Sequence, residues 1–180
     1  MKRILLACVL LLPALAFARD WQVDAAQSTL GFKASYQGDG FNGSFKHFEA
    51  NISFDAADLA LAKFDVTVDL ASADTGSSER DDTLKGSDFF AVARFPQAHF
   101  ATESFAKAAD GSISANGKLT IRDKTAPVTL KVRFVESGGG ATLDVDTVLK
   151  RADYGLGAGS DWVDISAEVP VHGHLILRAK

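Results

Sequence analysis

Few side chains in this chain of 180 residues have catalytic or metal-binding potential, and their spacing decides what they can do. The four histidines are His47, His99, His172 and His174. His172 and His174 stand two apart in a stretch where apolar and polar residues alternate, so both fall on one face of a strand. With a nearby carboxylate they would begin a metal site, but two ligands do not close one, and a strand face carrying histidines is more simply a solvated face. Asp65 and Asp69 share an outward face in the same way, as do Asp144 and Asp146, and these carboxylates read as solubilising charge rather than acid–base pairs. Cys8 is the one cysteine, and it lies in an apolar leader. There is no G-x-S-x-G elbow, no cysteine nucleophile and no H-E-x-x-H pair. We therefore expect no enzyme: no catalytic residues, no metal and no cofactor.

Residues 1–18 read as a cleaved signal peptide. Lys2 and Arg3 form a positive start, Ile4 to Leu15 an apolar stretch, and Ala16-Phe17-Ala18 a small-x-small cleavage site. Leu5-Leu6-Ala7-Cys8 has the form of a lipoprotein box, but Cys8 sits in the middle of the apolar segment, with ten uncharged residues after it. Residues 19–180 then form a single domain without cysteine, exported to the periplasm. No second stretch approaches the ~20 apolar residues of a membrane span, so no stable membrane insertion is expected. Without the leader the chain has 17 basic and 23 acidic residues, a net charge of −6. That balance argues against nucleic acid as a partner.

The elements that carry these residues are strands. From Val163 to Leu177 every second residue is apolar or small, which predicts one long terminal strand with a dry and a wet face. Further strands are predicted over Ser28–Tyr36, Phe41–Phe54, Phe64–Leu70, Gln97–Phe105, Ser112–Arg122, Val128–Val135 and Ala141–Leu149. The phase of the second shifts between Phe45 and Phe48, which marks a bulge or bend. Gly38-Asp39-Gly40, Asp110-Gly111 and Gly138-Gly139-Gly140 are turn signals. One connection, Asp74 to Val92, is too polar and irregular for a strand. There Ser78 can cap a short helix over Glu79–Lys85, leaving Leu84, Phe89 and Phe90 to pack over one end of a barrel. Pro170 interrupts the polar face of the last strand and marks a bulge or an unpaired edge.

Four motifs occur in one order: WQVDAAQSTLGF from Trp21, DTGSSERDDTLKGSDFFAVARFPQAHF from Asp74, GKLTIRDKTAPVTL from Gly117 and KRADYGLG from Lys150. In this series the chain resembles the YceI-like family of bacterial periplasmic lipid-binding proteins, described as polyisoprenoid-binding. The resemblance implies an all-β fold, a lipocalin-like, extended eight-stranded antiparallel β-barrel with one short helical connection. It also implies a homodimer. Asp123 stands where the family usually has glycine after the LTIR segment, which leaves the turn type open.

In such a barrel the expected lining of an apolar tunnel is Leu30, Phe32, Phe64, Val66, Val68, Phe100, Leu119, Ile121, Leu130, Val132, Phe134, Leu143 and Val145. An eight-stranded barrel is just wide enough either to fill with side chains or to hold one ligand. At the mouth, Arg80, Lys85, Phe89, Phe90 and Arg151 are candidates to grip a polar head group, since arginine forks suit phosphate and carboxylate. Arg80 and Arg151 have a competing role, bracing the rim through Asp81, Asp82 or Asp153. The expected ligand is a polyisoprenoid, quinone or other long-chain amphipathic lipid, carried without catalysis. The alternative is a stress-related interaction or structural protein whose interior is filled or incidental.

Overall fold

A computed structural model describes residues 19–180. The proposed signal peptide lies outside these residues. The first strand is broken into β1 (Asp20–Val23) and β2 (Thr29–Tyr36), the second into β3 (Asp39–Phe45) and β4 (Phe48–Ser53), and the third into β5 (Lys63–Asp69) and β6 (Ala73–Asp74). A single α-helix, α1 (Ser78–Lys85), leads to β7 (Gln97–Lys107), β8 (Ile113–Ile121), β9 (Lys124–Ser137), β10 (Gly140–Lys150) and β11 (Glu168–Ala179). Taken with their breaks, consecutive strands pair antiparallel (β2 with β3 and β1 with β4, β4 with β5 and β3 with β6, β5 with β7, and so on), and β11 returns to pair with both β1 and β2. The eight-stranded barrel implied by the family resemblance is thus closed, last strand to first.

The break between β1 and β2 is held from both sides. Asp24 N–H donates to Ile176 O at 2.8 Å, Ile176 N–H to Ser28 Oγ at 3.0 Å, and Ser28 Oγ to Asp24 O at 2.7 Å. This explains why Ser28 is, among the described residues, the one polar residue that is buried: its hydroxyl replaces the ladder bonds the break gives up. The phase shift read between Phe45 and Phe48 is the junction of β3 and β4. Ser77, one residue earlier than read, caps α1 by accepting from Arg80 N–H, and Glu79 and Asp81 place negative charge in its first turn.

One sequence expectation is corrected, one strand is added, and one open point is resolved. The terminal strand begins at Glu168, not Val163: residues 163–167 lie in the preceding loop, Val163 is 73% exposed, and Ile165 makes only an isolated bridge to Tyr36. The short β1 was not foreseen, because four residues carry too little alternation to register. In the turn after LTIR, the left-handed residue is Arg122 (φ 58°), not Asp123.

Candidate functional site

The inward faces of the strands build two unlike halves. In the lower half, aromatic rings fill the barrel. Phe54 is fully buried, with ring centroids 4.8 Å from Phe134, 5.6 Å from Phe64 and 5.7 Å from Phe105. Trp21 stacks edge-on against Phe134 and donates from Nε1 to Phe54 O at 3.0 Å. Ile52, Val132, Ala141, Leu143, Leu175 and Leu177 complete this solid plug. Phe64, Val132, Phe134 and Leu143 therefore belong to the plug and not to a tunnel wall. Summed ring volume decides the matter, and it becomes countable only once the strands are in register.

In the upper half a cavity of ≈ 210 Å³ remains between the inward side chains. Its wall includes Leu30, Phe32, Val66, Val68, Phe100, Leu119, Ile121, Leu130 and Val145, the other nine residues assigned to the lining. Sequence reasoning missed Phe41, Phe45, Val128, Leu149, Val169 and Val171, which face the same space. Their alternation within the strands was the available signal, but the phase of β3 and the true start of β11 were needed to use it.

A lid closes the top. Leu84, Phe89 and Phe90 all point inward and are buried, joined by Tyr154 and Leu156 from the loop after β10. Phe89 stacks edge-on against Trp162 at 4.8 Å, and Trp162 Nε1 donates to Asp88 at 3.0 Å. Gly157 (φ 59°) sits so close that a Cβ there would lie 3.0 Å from the Phe89 ring. Arg122 Nη1 donates to Phe89 O at 3.1 Å, while its buried Nε has no partner.

Arg151 fastens the lid to the barrel. Its Nη1 donates to Leu156 O (2.8 Å) and Gly157 O (2.5 Å), its Nη2 to Trp162 O (3.1 Å) and its Nε to Ser166 O (3.2 Å). The guanidinium is thus spent on backbone carbonyls, a brace made through the loop rather than through Asp153. Arg80 is similarly engaged: its Nε donates to Thr75 Oγ1 at 3.0 Å, and its guanidinium lies 4.3 Å over the Phe41 ring. Asp81 accepts from the same threonine, from N–H at 2.8 Å and Oγ1 at 2.7 Å. Lys85 is half-buried at the end of α1, without an ion pair among the described residues. Tyr154 is 2% exposed. Burial, and then the Asp153 charge, push its pKa up to about 12, so it remains a donor.

The histidines lie outside the barrel, each against an aspartate on a neighbouring element. His172 Nδ1 is 2.8 Å from Asp146, His174 Nδ1 2.6 Å from Asp144, His99 Nε2 3.0 Å from Asp65 and His47 Nδ1 3.8 Å from Asp69. The outward aspartates noted in the sequence are thus cross-strand partners of histidines. Among the described residues no three His, Cys, Asp or Glu side chains converge as a metal site would require.

A closed barrel with a dry chamber and a fastened lid can enclose an apolar group. Comparison with known proteins places it: the YceI-like domain model matches residues 21–177. The chain belongs to the YceI-like family. A UPF0312 protein of Shewanella denitrificans is 36% identical over 137 residues, covering 74% of this chain and 72% of the relative. A UPF0312 protein of Ectopseudomonas mendocina is 33% identical over 181 residues, covering 92% and 95%. Among solved structures, BcnA of Burkholderia cenocepacia superposes with a TM-score of 0.81 at 32% identity, over 86% of this chain and 99% of that one. A polyisoprenoid binding domain from Saccharophagus degradans, implicated in plant cell wall breakdown, shares the fold at TM-score 0.69 and 21% identity, over 92% and 100%. Among the described residues, no helix of this YceI-like protein is long and apolar enough to cross a membrane.

Proposed function

We propose that this YceI-like protein is an exported carrier that holds the apolar chain of an isoprenoid or similar amphipathic lipid in the upper half of its barrel, without catalysis. One observation carries the proposal: a chamber of ≈ 210 Å³ whose walls are almost wholly aliphatic and aromatic, left open in a barrel whose other half is packed solid. A barrel serving only as scaffold would gain stability by filling that space, at about 24 cal/mol per Å³ of cavity removed. Each CH2 transferred from water contributes about 0.8 kcal/mol, so a short run of chain carbons binds usefully even after ordering costs. The fold shared with a polyisoprenoid binding domain points the same way. A periplasmic location follows from reading residues 1–18 as a signal, and a homodimer belongs to the same proposal. The β2–β11 ladder is interrupted at Pro170, beyond the Val171–Phe32 pair, and resumes where Ser166 N–H donates to Ser35 O at 2.9 Å, so the proline marks a bulge.

Protein purified from its own periplasm and analysed by native mass spectrometry and solvent extraction tests the carrier. Stoichiometric lipid is expected. An empty barrel that also fails to take up lipid when challenged would favour the structural or interaction role. Light scattering on the same material reads the oligomeric state, and a dilution-independent monomer would remove the dimer.

A further inference from the structure

The plug shuts the lower end of the barrel and the lid shuts the upper, so a ligand needs another way in. The wall offers one. β9 and β10 pair from Ser137–Gly140 down to Lys131–Asp146 and then part. Beyond that point β9 stays paired with β8 as far as Lys124, and β10 with β11 as far as Lys150. The parted stretch follows from residue types. Ile121 and Lys124 close the two-residue turn as a hydrogen-bonded pair, so counting along the ladder makes Lys118–Pro127 a non-bonded pair. The proline nitrogen, which has no hydrogen to give, therefore faces β10. Two residues on, Thr129 O is taken by the Thr147 hydroxyl at 3.0 Å instead of by a backbone N–H. Among the described residues this is the one hydrogen bond across the open stretch. The lid, in contrast, is held by four hydrogen bonds from Arg151, one from Arg122 and one from Trp162.

Outside the seam lies a groove of ≈ 960 Å³. Val128, Thr147, Leu149 and Tyr154 line both this groove and the inner chamber at the seam; Leu30, Phe32 and Val171 also line both, but they belong to the β2–β11 stretch where the ladder is intact. The chamber's ≈ 210 Å³ is below the roughly 300 Å³ at which pockets begin to enclose a drug-sized ligand. A long chain must leave part of itself outside.

We infer that the β9–β10 seam is the portal through which a long-chain lipid enters sideways, and that the outer groove holds the length the chamber cannot enclose. The inference rests on the lipid-carrier reading above. Thr147 is the latch, and Tyr154, which lines both groove and chamber, offers its hydroxyl as a polar contact for an oxygen carried on the chain.

Kinetics test it, with cis-parinaric acid as the probe because its fluorescence rises in an apolar site. Two double variants of the full chain, both with Cys8→Ser, are compared before and after bridging by a short bismaleimide: Thr129→Cys with Val148→Cys across the seam, and Asp88→Cys with Asp161→Cys across the lid. Bridging the seam is expected to slow stopped-flow uptake and release at least tenfold, and bridging the lid to leave both within twofold. Thr147→Val, which needs no bridge, should speed exchange several-fold. Unchanged rates with the seam bridged, or slowing caused only by the lid bridge, would overturn the portal while leaving the carrier intact. Failure of the unbridged protein to bind the probe at all would overturn both.

Discussion

Truncating Phe54 tests the division of the barrel into plug and chamber. Its ring is fully buried and lies within 4.8–5.7 Å, centroid to centroid, of three other phenylalanines. Phe54→Ala removes the ring from a site walled on all sides by other rings, which cannot all collapse inward without leaving their own rotamers. Phe→Ala in such cores costs about 3–5 kcal/mol, and aromatic pairs add roughly 0.5–1.5 kcal/mol each beyond area burial. The expected loss is therefore near the top of the range, about 5 kcal/mol, a large share of the roughly 5–15 kcal/mol that holds a domain folded. For a domain of this size that corresponds to a fall in Tm of about 10–20 °C. Leu149→Ala is the matched control. Its side chain already faces open space, so truncation enlarges an existing cavity rather than creating one, and the cost should stay below about 2 kcal/mol. Urea denaturation of both variants, with unchanged m-values, gives the two numbers. Equal costs, or a Phe54→Ala cost below about 2 kcal/mol, would mean that the lower half is not a solid plug and that the tunnel runs through.

Three further outcomes are expected. Val66→Asp puts a charge on the chamber wall and should abolish uptake of cis-parinaric acid, measured by fluorescence titration; a folded variant that binds normally would show that the chamber is not the site. Arg151→Met keeps the aliphatic stem but orphans four carbonyl contacts; thermal scans should show a loss of several kcal/mol, at roughly 1.5–3 kcal/mol per charged hydrogen bond. Anionic and neutral lipids should then weaken alike, and selective loss of the anionic one would return Arg151 to a head-group role. Finally, the Tyr154 pKa lies near 12 in the folded protein against 10.0 unfolded, so folding favours the neutral phenol. Its contribution is complete below pH 10 and is lost as pH rises from 10 to 12. Tyr154→Phe should remove that alkaline limb from a stability–pH profile, and an unchanged limb would refute the assignment.

Period-two alternation was enough to read most of the strands and the break between Phe45 and Phe48, because a strand's faces are set by local geometry; the closed barrel was legible only through the family resemblance. The plug was not legible. Phe64 and Val66 have the same pattern in sequence, and only register places Phe54 and Phe105 against the first and open space beside the second. Arg151 shows another limit. Its neighbours in sequence offer an acid, Asp153, whereas its actual partners are carbonyls of a loop that folds back over it. Val163 and Ile165 continue the alternation of β11 without belonging to it, since the pattern records side-chain type and not hydrogen bonding.

The closure of β11 onto both β1 and β2 has a consequence for how the protein is made. Trp21 is paired opposite Ala179, and Phe32 opposite Val171. Contacts that span almost the whole chain carry the greatest loop-closure entropy and form slowly. The barrel cannot be completed until its last dozen residues have emerged from the ribosome, so during synthesis the growing polypeptide is an open sheet without its final wall. Its inner face stays uncovered until the two ends of the chain meet.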